Sequence, residues 1–442
     1  MSGYVEYREV NLPWLKAVPA HWEIRRNKNI FTEQKELVGE RSADYTLLSL
    51  TLNGIIPRDM DGGGKFPESF DKYKIVKNGD MAFCLFDIDE TPRTVGLSGY
   101  NGMLTGAYTI MRVSNINAQF IYYYYLALDN GKMLRPLYTG LRKTININTF
   151  QSTKVPVPPR DEQDQIVRFL DWKVSSINKL IAVKQKQIAT LKEFMQAEIE
   201  EQLYAYPVVS VVRLKQLGTF FKGGGFSRDN LVEDEDYPAI LYGDIYTQYE
   251  YKTSIITHHI DENAYSTSRK ISKGDIVMAG TGETKDEIGK SILYMGEQIV
   301  AVGGDVIVFH PNEGTNVEYL LYQLYSQASL KHRYINGKGD IIVHIYPTAL
   351  GNTIITLPGE AEQNKAVARI NKIIDQVNKA ITVLTDEISV LREYRVRLVA
   401  DTVTGKIDVR GIEIPEYEFV DEDTDNVDEN LEQGADEPPE EE

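Results

Sequence analysis

The chain has one cysteine, Cys84, in 442 residues. Neither a disulfide framework nor a cysteine-based zinc site can form within one chain, and a reducing cytoplasm fits. No run of about 18 apolar residues occurs, so no membrane span is expected. The opening MSGYVEYREVNLPW lacks the basic-then-apolar pattern of a signal peptide. Catalytic signatures are missing too. An adenine methyltransferase would need an Asn/Asp-Pro-Pro-aromatic loop, and the Pro-Pro pairs, Pro158-Pro159 and Pro438-Pro439, do not supply one. AGTGETKDEIGKS, Ala279 to Ser291, has the wrong spacing for a phosphate loop: Thr284 stands where a glycine is required. His258-His259 would point to opposite faces of a strand, with no acid–histidine arrangement nearby to complete a metal site. No catalytic and no metal-binding residue is assigned.

Basic residues are missing from one region. From Glu413 to Glu442 the chain has fifteen Asp or Glu and no Lys or Arg. That tail accounts for all but −2 of the formal charge of −17. Like-charge repulsion and low hydrophobicity predict a disordered acidic tail over 404–442, a solubilising end or a competitor for a basic groove. The body carries all 48 Lys and Arg and is not electrostatically barred from DNA.

What the chain does have is a duplication. VPPRDEQDQIVRFLDWKVSSINKLIAVKQKQIATLKEF and LPGEAEQNKAVARINKIIDQVNKAITVLTDEISVLREY align without a gap at an offset of 200 residues. Pro158 matches Pro358, Glu162 matches Glu362 and Gln163 matches Gln363, and the match continues through Asn178/Asn378, Ile181/Ile381, Val183/Val383 and Glu193/Glu393. A repeated unit predicts internal pseudo-symmetry. Each copy is an amphipathic helix entered just after proline with acid in its first turn. Leu170, Val174, Ile177, Ile181, Ile188 and Leu191 fall at alternating three- and four-residue spacing. Ile370, Ile374, Val377, Ile381, Leu384, Ile388 and Leu391 do the same. These are coiled-coil seams, and they are assigned as subunit-interface residues. Lys184 interrupts the first seam and Arg395 replaces Met195, each a register device or an end-fraying position. About 40 residues at 1.5 Å each span roughly 60 Å, the scale of neighbouring DNA turns of roughly 34–36 Å.

The segments between the copies diverge but keep an order of elements. DMAFCLF, LTGAYTIMRV and STKVPVPP read as strands of a first domain, with AQFIYYYYLALDNGKMLRPLY a helix packed by tyrosines. KGDIVMAG, VAVGGDVIVFH, VEYLLYQLYSQASLKHRY and NTIITLPGE repeat that order, with Asp275 opposite Asp80 and Gly289 opposite Gly96. The division is 1–157 first domain, 158–205 first long helix, 206–356 second domain, 357–403 second long helix and 404–442 tail.

A lead-in of VPAHWEIRRNKNIF, a variable domain, PVPPRDEQDQIVRFLDWKVSSINKLI, a second variable domain and a second LPGEAEQ helix together resemble the specificity (S) subunit of Type I restriction-modification enzymes. The resemblance covers about 12–402. It implies an α/β fold: two α/β target recognition domains joined by two long antiparallel coiled-coil helices, with internal pseudo-twofold symmetry. It implies a non-catalytic subunit whose domains each read one half of a discontinuous double-stranded DNA target, while the helices set the spacer and dock two methyltransferase (M) subunits. The cofactors would belong to those partners: S-adenosylmethionine to the M subunits, ATP and magnesium to the restriction (R) subunits, none to this chain. The alternative is a coiled-coil scaffold without DNA specificity, which lacks salt-dependent DNA binding.

DNA affinity needs Lys and Arg on phosphates, and specificity needs side chains at base edges. In the first domain the Gly-rich loop YTGLRKTININ offers Tyr138, Gly140, Arg142, Lys143, Thr144 and Asn146, with Lys65 and Arg93 in other loops. In the second domain the matching INGKGDIIVHI offers Asn336, Lys338 and His344. FKGGGFSR adds Lys222, Gly223, Gly224 and Arg228 as a flexible basic turn, and the 279–291 segment adds Lys285 and Lys290.

Overall fold

The computed structural model describes residues 3–58, 67, 69–139, 143–233 and 237–420. The chain divides into two compact units, one of residues 1–186 with 384–442, the other of residues 187–383. Each long helix, Arg160–Tyr204 and Glu360–Val403, contributes one half to each unit.

In the first unit a four-stranded antiparallel sheet runs in the order Phe31–Gln34, Thr109–Val113, Asp80–Phe83, Val95–Leu97. Helix Ala118–Asn130 packs beside it, started by Asn117, whose side chain accepts from the Gln119 and Phe120 amides. The tyrosine run feeds the core: Tyr123, Tyr124 and Tyr125 are buried. Tyr125 meets Phe31, Phe83 and Phe150, with ring centroids 5.1–5.9 Å apart, and its hydroxyl donates to buried Asn27 at 2.8 Å, as a buried phenol must. DYTLLSLTLNGIIP forms a hairpin, Leu48–Thr51 against Gly54–Pro57, because Gly54 takes φ +92° and turns the chain.

The second unit holds two five-stranded sheets. One runs Gly218–Lys222, Val306–Pro311, Ile276–Ala279, Ser291–Tyr294, Lys252–Thr253, and the other Leu231–Val232, His258–Ile260, Pro238–Ile240, Val300–Val302, Arg269–Ile271. The helix expected over VEYLLYQLYSQASLKHRY is two, Val317–Leu324 and Gln327–Asn336. Ser326 makes the break: its hydroxyl donates to the Gln323 carbonyl at 2.8 Å and caps the second helix by accepting from the Ser329 amide.

Repeated residues do repeated work. Gly79 and Gly274 sit at φ +86° and +95°. The aspartates after them, Asp80 and Asp275, are buried and accept from the amides of Lys77 and Ser272 at 3.0 and 2.8 Å. Each is met from the neighbouring strand, Asp80 by Arg112 and Asp275 by His310. Gln163 and Gln363 both donate to the carbonyl of the proline five residues back, at 2.8 and 2.9 Å. Asn117 and Asn316, each capping a domain helix, bond Asp164 and Asn364 of the adjoining long helix.

The seam residues of the first unit, Leu170, Val174, Ile177, Ile181, Leu384, Ile388 and Leu391, are all buried or half-buried. Lys184 donates to Glu387 at 2.5 Å and Arg395 to Asn178 at 2.7 Å, so both seam charges are paired. In the second unit Leu191, Ile370, Ile374, Val377 and Ile381 enter one apolar core with Met195 and Ile199, and Ile188 is half-buried.

The acidic composition places 404–420 in the tail, yet this segment is packed. Gln165 donates to the carbonyls of Val409 and Ile412 at 3.1 and 2.8 Å. Ser175 donates to the Glu418 carbonyl and accepts from the Val420 amide, and Asn178 donates to the Val420 carbonyl. The charge pattern says where chain is soluble, not where polar side chains of a neighbouring helix await a main chain. The acidic residues 421–442 lie outside the described residues. Among the described residues no helix is long and apolar enough to cross a membrane.

Candidate nucleic-acid interface

Each unit presents a loop between its domain helices and the strand that enters a long helix. In the first unit the loop begins at Tyr138 and ends at Asn146. Its neck is closed by the Thr139 amide donating to the Thr144 carbonyl at 3.0 Å. It is tied to the 85–90 segment: the Asp87 amide donates to the Lys143 carbonyl at 2.8 Å and the Ile145 amide to the Leu85 carbonyl at 2.7 Å. Tyr138 donates to Asp89 at 2.6 Å, a bond that lowers the Asp89 pKa. Burial, then this bond, pushes the tyrosine up to about 12. Lys143 pairs with Glu90 and Asp89, and its hydrogen bond to Glu90 raises its pKa. In the free protein this lysine is already matched by acid, so meeting a phosphate means exchanging partners. Thr144 is exposed. Asn146 caps helix Ile147–Ser152 by accepting from the Asn148 amide. Gly140 and Arg142, and Lys65 in the other loop, lie outside the described residues.

Arg93 is placed differently from the loop cation that the sequence reading makes it. Its guanidinium donates to Asp129 at 3.0 Å and to Asn130 at 2.9 Å. Asp129 also accepts from Thr94 and Lys132. This arginine clamps its strand to the end of helix Ala118–Asn130.

In the second unit the loop is a small hairpin. The Lys338 amide donates to the His344 carbonyl at 2.9 Å and the His344 amide to the Lys338 carbonyl at 2.8 Å. Val343–His344 pairs with Thr281–Gly282, and His344 Nδ1 lies 3.0 Å from the Thr281 hydroxyl. Lys285 reaches Asp340 at 3.9 Å. Lys338, His344 and Lys285 are thereby brought together. Lys290, on the same turn as Lys285, is spent on the Tyr246 carbonyl at 3.2 Å, and burial lowers its pKa. Asn336 donates back to the His332 carbonyl.

Beneath the hairpin Arg333 is 3 % exposed. Its guanidinium donates to the Gly289 carbonyl at 2.9 Å and reaches the Ser291 hydroxyl at 3.4 Å. Its own carbonyl accepts from the Gly337 amide at 2.8 Å. One residue therefore fixes the turn carrying Lys285 to the hairpin carrying Lys338. Gly289 stands at φ +74°, where a Cβ would come 2.7 Å from Arg333 Cδ.

The turn FKGGGFSR is pinned rather than flexible. Gly223 donates to the Val306 carbonyl and Gly224 to the Val302 carbonyl, and a Cβ at Gly223 would meet the Gly303 carbonyl at 2.1 Å. Gly223 is there for close passage past the 302–306 segment. Lys222 pairs with Asp305 at 3.6 Å, and Arg228 is exposed.

The sequence reading missed Ile341 and Ile342 on the hairpin, which are 89 % and 56 % exposed. The signal was two adjacent isoleucines after a Gly-Lys-Gly-Asp turn. His258 Nδ1 lies 2.9 Å from Asp244, and among the described residues no three His, Cys, Asp or Glu side chains are grouped to hold a metal.

The sequence family described as the Type I restriction modification DNA specificity domain matches residues 69–193 and 208–389. A solved structure, described as the structural basis of complex assembly and conformational transition of the type I R-M system, is similar with a TM-score of 0.60 at 15 % identity, covering 88 % of this chain and 99 % of that one. The HsdS subunit from Thermoanaerobacter tengcongensis gives a TM-score of 0.43 at 14 % identity over 88 % and 98 % of the two chains. The S subunit of a Type I system from M. genitalium gives 0.35 at 16 % over 92 % and 100 %. Among curated proteins none matches significantly. The match in two segments spans most of the chain, one segment in each half of the duplication, and the chain belongs to the Type I restriction-modification specificity family, as a DNA sequence-recognition subunit.

Proposed function

We propose that each α/β domain reads one half of a bipartite DNA target and that the two long helices, as an antiparallel coiled coil with pseudo-twofold symmetry, set the spacer. One observation carries the bipartite reading. A loop stands in each domain on a closed neck, Thr139 to Thr144 in one and Lys338 to His344 in the other, while the residues between differ in kind and number. Similar necks with unequal tips read unequal half-sites. The contact set is Tyr138, Gly140, Arg142, Lys143 and Thr144 in the first domain and Lys285, Lys338, His344 and Arg228 in the second. Arg supplies bidentate contact to guanine and the lysines supply phosphate contact.

Antiparallel pairing is supported by Lys184 with Glu387, Asn178 with Arg395 and Gln202 with Arg369. In each pair one number rises as the other falls. The seam side chains are buried or half-buried within the chain, so partner docking falls to the outward stripe. Leu180, Val183 and Phe194 on one helix and Val383, Val390 and Tyr394 on the other are exposed, and Val183/Val383 and Phe194/Tyr394 are equivalent repeat positions. Two such stripes fit two methyltransferase subunits. Those subunits supply S-adenosylmethionine and the chemistry. Restriction subunits, with ATP and magnesium, complete a cytoplasmic assembly in which this chain is non-catalytic.

The test is a genome-wide map of N6-methyladenine in cells expressing this chain with its methyltransferase partner, against cells lacking the chain. One new bipartite motif with a fixed gap is expected. No new methylation with an active partner would overturn the reading in favour of a scaffold.

A further inference from the structure

We propose that Ile341 and Ile342 are specificity-determining residues of the second domain, reading thymine C5-methyl groups in its half-site, an inference that rests on the bipartite reading above. Two adjacent isoleucines, 89 % and 56 % exposed, stand on a hairpin of fixed shape. The shape comes from the two main-chain bonds between Lys338 and His344 and the pairing of Val343–His344 with Thr281–Gly282. Val343, between Ile342 and the neck, is buried and anchors it. An exposed apolar pair on an ordered hairpin adds nothing to the fold, so its use lies in what it meets.

Charge does not describe this tip. Its acid, Asp340, is exposed and lies 3.9 Å from Lys285, and beside that pair the two isoleucines present methyl and methylene surface. Among the groups on base edges in the major groove, the thymine methyl is the apolar one. The flanking cations Lys285 and Lys338 suit the phosphates on either side. The first domain's loop sequence carries Arg142, a residue type suited to guanine, while the second domain's tip presents branched alkyl groups suited to thymine.

The experiment uses the assembled methyltransferase complex and duplexes bearing the motif recovered by methylation mapping. Each thymine of the second half-site is replaced in turn by deoxyuridine, which removes only the methyl. For the natural chain at least one replacement is expected to weaken binding about threefold to tenfold, the worth of one buried methyl group. For Ile341→Ser with Ile342→Ser, binding to the thymine duplex is weakened by a similar factor, and the same deoxyuridine replacement has no further effect. Because both side chains are exposed, the variants keep their fold, and unchanged discrimination at the first half-site confirms it. Three results overturn the proposal: no sensitivity to any thymine methyl, equal sensitivity in the natural and Ser chains, or weakening by the Ser substitutions alone whatever the base. The last assigns the pair to a wedge or to a protein contact. Loss of both half-sites in the natural chain would instead sink the bipartite reading.

Discussion

Glu162 shows how one position in a duplicated sequence comes to do two jobs. Its carboxylate is buried and accepts from Tyr4 at 2.5 Å, Trp22 at 2.8 Å and His21 at 2.7 Å. Arg410 lies over the Tyr4 ring, and Gly405 packs against Trp22. Both ends of the chain are thus tied to one acid. Its partner in the repeat, Glu362, is more exposed and reaches Lys365 at only 3.9 Å. Glu162→Ala is therefore expected to cost about 2–4 kcal/mol, since it strands buried donors of an ionic hydrogen-bond network. Glu362→Ala is expected to cost under about 1 kcal/mol. Thermal unfolding of the two variants side by side measures this, and equal effects would contradict it. At this scale the sequence was legible where a residue's role is local. The Gly-Asp turns and the Pro–Gln spacing repeat because the same main-chain bonds repeat. It was illegible where the role depends on a distant partner. Arg93 reads as a free loop cation until Asp129, 36 residues on, is seen beside it.

The long helices were legible from their period alone, because a seam three and four residues apart has few other solutions. The break at Ser326 was not, because the apolar pattern runs through it and only a hydroxyl bonded to the Gln323 carbonyl ends the turn. The exposed hairpin tip was not legible either, because two adjacent isoleucines read as buried strand until the fold is seen to leave them outside. If the helices set the spacer, removing four residues from each at mid-length shortens the strut by about 6 Å. That is close to two base-pair steps at about 3.4 Å. The methylated motif is then expected to keep both half-sites and change its gap by about two base pairs. A changed half-site with an unchanged gap would refute the strut.

For the molecule as a whole, the segment 404–420 separates two kinds of truncation. Ending the chain after Val420 removes only residues 421–442, whose acidic composition predicts disorder, so the stability of the first unit is expected to stay unchanged. Ending it after Thr404 uncovers Ser175 and Asn178, which are buried at 2 % and 5 % exposure, and removes the bonds to Gln165. At about 0.5–1.5 kcal/mol per bond, a loss of roughly 2–4 kcal/mol is expected. Chemical denaturation of the two truncated chains tests it, and equal midpoints would show that the segment contributes nothing.

The division of the long helices has a consequence for synthesis. The first unit needs residues 384–420 to close, while the second is complete once residue 383 has emerged. A growing chain therefore holds its first-made domain unfinished while some 200 residues are added, roughly 10–40 s at about 5–20 residues per second. The part made first is finished last, and throughout that wait Ser175 and Asn178 lack the main-chain partners that Glu418 and Val420 later supply.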